Sequence, residues 1–313
     1  MTDSHLPTFS VTAMMRESLD VVQRFLDYYR ALGAETIFVY FDGSIDSLGG
    51  LDLTRTELIE CDDAFWHATS GGRPQTLDAA LWATHARSAR LHNSDWLFVT
   101  DADEFLTGGS IRAMLARVPG EIEALRIRNV EAVWGPGDDI ARPFASTHFR
   151  KPVPKKLFSL LARPLYGKAA PFFHRGLVGH SEGKHFLRRG AAFTEIQSHD
   201  SFRDGRRLGR WAHDVVPEAE GMVVLHFDAV GFERWREKWR RRFSREMPSD
   251  QMSPKRAAQL PRIEAAVSAG DAEAMRLFRE FYGLSPWQKT ALNLIGGLER
   301  HRNVFPSGRD PVA

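Results

Sequence analysis

Apolar and polar residues alternate in two rhythms through the first half of the chain. Residues 8–15 (TFSVTAMM) and 36–41 (TIFVYF) are short β-branched and aromatic runs, and between them Leu19, Val22, Leu26 and Tyr29 recur at spacings of three and four. That combination predicts a β-α-β unit. A further strand is expected at Thr56–Glu60, then a helix from about Thr76 with Leu77, Leu81 and Thr84 on one face, then a strand over 96–100 (WLFVT). Strands that alternate with helices imply an α/β fold with a mixed, mainly parallel sheet flanked by helices, and ligands gather at the carboxyl ends of such strands.

Beyond the Gly108-Gly109 turn and a short helix opened by Ser110, strand-like pieces are expected at 124–130, 156–161, Lys184–Arg188 and 222–227. The last third reads as helical. Phe232, Trp235, Trp239 and Phe243 repeat every three or four residues, and Ser253, Asp271 and Ser285 offer three N-caps, two of them followed by proline. The expected division is a catalytic domain over residues 1–230 and a helical C-terminal extension over 231–313.

With 313 residues, 43% hydrophobic and 26% charged, the chain has the composition of a globular protein with a sizeable core. Its net charge of +2 conceals a gradient. Residues 1–150 hold 13 Arg, no Lys and 22 acidic residues, nine charges negative, whereas the remainder is eleven positive. The lone Cys61 excludes an internal disulfide framework and a Cys-rich zinc site, and no apolar run approaches the ~20 residues that span a bilayer. The opening MTDSHLPTFS lacks the plan of a signal peptide, so a cytoplasmic chain is expected.

Candidate chemistry concentrates where the run 96–100 ends in Asp101-Ala102-Asp103-Glu104-Phe105. In an extended segment Asp101 and Asp103 project to one side, and two carboxylates there suit a divalent cation, Mn²⁺ or Mg²⁺, with coordination positions left for phosphate oxygens. The plainer reading is a solvated acidic turn. In the basic half, Lys155 and Lys156 and the Gly-flanked Lys184 of Gly179-His180-Ser181-Glu182-Gly183-Lys184 are candidates to meet an anion. Trp66, His67 and Trp134 can stack on a ring, although core packing is the commoner fate of aromatics. Residues 233–245 place seven Arg or Lys over an aromatic stripe, which fits either an amphipathic helix on the core or a peripheral contact with the inner face of a membrane.

The stretch 96–105 resembles the Asp-X-Asp motif of family-2-like glycosyltransferases with the GT-A fold, in the group that carries Asp-X-Asp-Glu-Phe. Met15-Arg16-Glu17, Leu32-Gly33, Phe41-Asp42-Gly43-Ser44, Gln75, Gly183-Lys184 and Leu225-His226-Phe227 fit the same pattern. Arg16 departs from it, standing where the group usually has Asn. The resemblance implies a GT-A-like, Rossmann-like domain that transfers a sugar from a nucleotide-diphosphate donor to a glycan, lipid-linked or other hydroxyl acceptor, with inversion. It implies Asp101, Asp103 and His226 as metal ligands, and Glu17, Asp42, Gln75, Asp101 and Lys184 around the nucleotide-sugar, to which the basic half adds Lys156 as a phosphate partner.

Direct displacement also needs a carboxylate to take the acceptor proton, for which Asp138, Asp139 and Glu182 are the candidates. Two other readings compete. One is a Mg²⁺-dependent haloacid-dehalogenase-like phosphatase, in which the aspartate pair would follow the first strand. The other is a basic module for membrane or nucleic acid, which leaves the acidic strand end without a role; nucleic acid is not expected as a partner.

Overall fold

The computed structural model describes residues 6–244, 252–302 and 304–305. The described residues divide into two compact units that alternate along the sequence: 6–128, 182–224 and 305 form unit 1, and 129–181, 225–244, 252–302 and 304 form unit 2. The boundary expected at residue 230 therefore does not separate the units, because the C-terminal helices share a core with residues 129–181.

Unit 1 begins with β1 (Phe9–Met15), α1 (Leu19–Ala31), β2 (Ile37–Phe41), β3 (Thr56–Glu60), α2 (Asp63–Ser70), α3 (Leu77–Leu91), β4 (Trp96–Val99), β5 (Glu104–Thr107), α4 (Ile111–Leu115) and β6 (Ala124–Ile127). Unit 2 opens with β7 (Asn129–Val133), β8 (His148–Arg150) and α5 (Lys155–Tyr166). The chain returns to unit 1 for β9 (Lys184–Arg188), β10 (Glu195–Ile196), β11 (Ser201–Arg203), β12 (Arg206–Arg207), β13 (Gly209–Trp211) and α6 (Ala212–Val215). After β14 (Val223–His226) come α7 (Phe232–Phe243), α8 (Pro254–Ala269), α9 (Asp271–Tyr282), α10 (Pro286–Leu294) and β15 (Leu298–Arg300).

The sheet of unit 1 runs β13-β6-β9-β4-β1-β2-β3. β4, β1, β2 and β3 are parallel neighbours, and β9 lies antiparallel to both β4 and β6. Every residue of β1, β2 and β4 is buried, as both-face coverage by helices requires. On one face, α3 is tied to β1 and β2 through Ser88, whose hydroxyl lies 2.9 Å from that of Thr12 and 3.0 Å from that of Tyr40. On the other face Tyr29 of α1 packs near Phe98 and donates to the Glu104 carbonyl at 2.8 Å. The α/β reading with a parallel-rich sheet is thus what the chain forms.

Unit 2 is helical around one core. Trp235, Trp239, Phe278, Phe281, Tyr282 and Ile263 pack with Val133 and Trp134, and β8 pairs antiparallel with β7 and β15. Among the described residues no helix is long and apolar enough to cross a membrane.

Several local expectations need correcting. Residues 156–161 are helix, not strand: Phe158, Leu161 and Leu165 face the core at helical spacing, and the short apolar run satisfied both periods. The piece expected at 124–130 breaks at Arg128 into β6 and β7, at the boundary between the units. Asp271 is the first helical residue rather than the cap, which is Gly270. Ser253 and Ser285 do cap their helices, and Ser285 forms a complete capping box with Gln288.

Candidate functional site

Asp101 stands at the carboxyl end of β4, where the parallel half of the sheet gives way to antiparallel β9. β4 ends at Val99 because the next residues close a turn: the Glu104 N–H donates to the Asp101 carbonyl at 3.2 Å, and the Asp101 N–H donates to Glu104 Oε2 at 3.0 Å. Asp101 and Asp103 are therefore turn residues, not members of the extended segment expected from the sequence. Both are half-buried, while Glu104 is fully buried.

β9 brings Lys184 into this turn. Its ammonium is fully buried and contacts Asp101 Oδ2 at 2.6 Å and Glu104 Oε2 at 3.1 Å. Burial alone would push its pKa down, but the two carboxylates outweigh that and raise it, so the side chain stays charged. Gly183 makes the approach geometrically possible. Its φ is +69°, and a Cβ there would collide with the Ile127 carbonyl oxygen. Lys184 is thus a buried counter-ion of the acidic turn rather than an exposed lysine in a loop.

Three carboxylates stand in this turn, and such hard oxygen donors fit Mg²⁺ or Mn²⁺. Beneath it lie two buried histidines, His85 on α3 and His185 on β9. Burial, opposed by Asp101, pulls His85 down to about 4, and burial followed by His85 itself holds His185 well below the usual histidine range. Both are neutral around pH 7.

The other residues anticipated in unit 1 distribute along the same sheet. Glu17 follows β1 and is half-buried; Asp42 follows β2, is buried, and is gripped by Arg73. Gln75 is exposed, one residue before the Thr76 cap of α3. Glu182 is paired with Arg126 at 3.1 Å. Arg73 was not anticipated; the signal available was its position directly after Gly71-Gly72, a helix-ending turn that leaves a cation near the sheet edge.

In unit 2, His226 closes β14 and is buried, with its ring 4.9 Å from that of His180. The sequence singled out the segment holding His180 for Lys184 and Glu182, not for the histidine. Glu131, also unanticipated, is fully buried and fixes that segment by accepting the N–H groups of Val178 at 2.8 Å and Gly179 at 2.5 Å. Burial, opposed by Arg150, pushes its carboxyl up to about 7.

Asp138 accepts the Gly135 N–H at 2.6 Å and lies 3.7 Å from His148, and exposed Asp139 accepts from Ala141 at 3.0 Å, so both do the work of loop capping. Trp134 is core. Lys156 is exposed on α5. Phe232, Trp235 and Trp239 of α7 are buried, while Arg234, Arg236 and Lys238 engage Glu237, Glu233 and Asp228. The apolar stripe that a bilayer would take up is already covered. Arg245 lies outside the described residues.

No family model matches the sequence, and no curated protein matches it. Solved structures do. The chain is similar to GalNAc-T7 with UDP, GalNAc and Mn²⁺ at 11% identity and a TM-score of 0.38, over 93% of this chain and 57% of that one. It is similar to a mycobacterial protein at 11% identity and a TM-score of 0.33, over 84% and 73% of the two chains. HddC from Yersinia pseudotuberculosis gives 9% identity and a TM-score of 0.34, over 66% and 89%. The chain thus spans a little over half the length of the first of these.

Proposed function

We propose that the protein is a metal-dependent glycosyltransferase that uses a nucleotide-diphosphate sugar and transfers its sugar to a hydroxyl acceptor. The observation that carries this reading is the Asp101-Ala102-Asp103-Glu104 turn at the carboxyl edge of the sheet, where three carboxylates gather and Lys184 ties two of them together. Asp101 and Asp103 would hold the cation. A bound divalent cation supplies positive charge to a departing diphosphate.

The chain's own groups do the rest. Lys184 prevents mutual repulsion from splaying Asp101 and Glu104, and Glu104 fixes the turn by accepting the Asp101 N–H. Asp42, held by Arg73 at the end of β2, offers a carboxylate to a ribose or base, and Glu17 lies on the same carboxyl edge. The phosphatase reading needs the aspartate pair after the first strand, and here it follows the fourth.

Calorimetry with UDP and with GDP, each with and without Mn²⁺, tests the proposal. Nucleotide binding that depends on Mn²⁺ is expected in the wild type, with a loss of at least about tenfold in Asp103→Ala. Binding indifferent to Mn²⁺, or none to either nucleotide, overturns it.

A further inference from the structure

Three large apolar side chains of unit 2 are more than half exposed: Leu160 at 73%, Trp287 at 62% and Leu294 at 82%, whereas the other exposed large apolar residues among those described reach at most 47%. Trp287 and Leu294 stand seven positions apart on α10, one above the other on the same face. The opposite face, with Leu292, is in the core. Leu160 occupies the outer side of α5, whose inner side carries Leu161 and Leu165. Gln288 Nε2 donates to the Leu165 carbonyl at 2.8 Å and so fastens the start of α10 to the end of α5. The exposed residues therefore stand on the outer sides of two helices joined at that point.

The charge along both helices has one sign. Residues 151–178 contain no Asp or Glu, and neither do residues 286–298. Lys156 and Arg163, both exposed, stand one turn to either side of Leu160 on its flank of α5. Soluble surfaces ordinarily intersperse both signs.

We propose that the outer faces of α5 and α10 dock on an anionic lipid surface. Leu160, Trp287 and Leu294 enter the interfacial layer, where an indole is favoured because its apolar body and N–H suit the boundary. Lys156 and Arg163 meet headgroup phosphates. A second copy of the chain is the poorer occupant, since a two-fold contact would set this basic surface against itself. The proposal does not depend on the transferase reading, and its test uses neither nucleotide nor metal.

The full chain is sedimented with sucrose-loaded vesicles of phosphatidylglycerol and phosphatidylcholine, or of phosphatidylcholine alone. Partition to the anionic vesicles is expected, weakened by salt. Trp287→Ser/Leu294→Ser and Lys156→Gln/Arg163→Gln should each lower it by about tenfold or more at unchanged far-UV circular dichroism. Equal or absent binding to both vesicle types overturns the proposal, as does wild-type partition in either double variant. A dimer in sedimentation velocity that Trp287→Ser/Leu294→Ser dissolves overturns it in favour of self-association.

Discussion

Each unit buries an ionic cluster in which one side chain meets several of the opposite charge, and these two are built with opposite signs. In unit 1 a single ammonium, Lys184, sits among Asp101 and Glu104 beside Asp103. In unit 2 a single carboxylate, Asp228, is met by Arg256 at 2.6 Å and Lys238 at 3.8 Å and accepts the Tyr282 hydroxyl. Burial would raise the Asp228 pKa, but Arg256, Lys238 and His226 together hold it well below the usual range. The second cluster leaves its carboxylate with every need met, joining α7, α8 and α9. The first gathers three carboxylates about one ammonium at the end of a parallel strand. Buried charge alone thus does not mark a site; carboxylates gathered at a sheet's ligand edge do.

The largest expected effect separates the two clusters. Lys184→Met strands two carboxylates together, and Arg256→Met removes the main partner of Asp228; each should cost about 3–5 kcal/mol in urea unfolding. Millimolar Mn²⁺ should restore part of the loss in Lys184→Met, where a cation can take the place of the ammonium, and none in Arg256→Met. Equal recovery in both, or in neither, breaks the distinction.

A somewhat smaller contrast lies in pH. His85 is depressed to about 4 in the fold against an ordinary value of 6.5, so the stability it confers is present above pH 6.5 and is lost as pH falls toward 4, up to about 3 kcal/mol. Glu131 runs the other way. Its folded value of about 7 lies above the ordinary 4.5, so ionisation is penalised in the fold and its contribution falls as pH rises between those values. Amide hydrogen exchange across pH 4–8 should therefore show α3 and β9 loosening in acid, while β7, which carries Glu131, is better protected there. His85→Leu should flatten the first trend only.

The smallest comparison concerns helix caps. Ser285→Ala in unit 2 and Thr76→Ala in unit 1 should each cost about 1 kcal/mol, read as a shift of the urea midpoint. A larger loss at Ser285 would reflect its reciprocal bond with Gln288.

What the sequence disclosed follows from the range of the forces involved. The strands at 37–41 and 96–99 and the helix capped by Thr76 are set by local periodicity and capping, and they appear where that chemistry puts them. The acidic turn was visible as a candidate because three carboxylates after an apolar run are a local signal. Its conformation was not, because the bond from the Asp101 N–H to Glu104 replaces the extended geometry that alternation predicts. The role of Lys184 was hidden because it depends on β9 entering the sheet between β4 and β6, a matter of topology. At residues 156–161 two periodicities fitted one short run, and only packing on the unit 2 core selects the helix.

The position of β9 also governs how the chain can emerge from the ribosome. β4 and β6 are synthesised early, yet the strand that joins them comes only after residues 129–181, which belong to the other unit. Lys184 follows Asp101 by 83 residues, so a nascent chain carries the acidic turn without its counter-ion and β4 without its neighbour for the whole of that interval. Unit 1 cannot mature until translation of unit 2 has begun, and a fragment ending at residue 128 lacks both the closing strand and the charge that holds the site together.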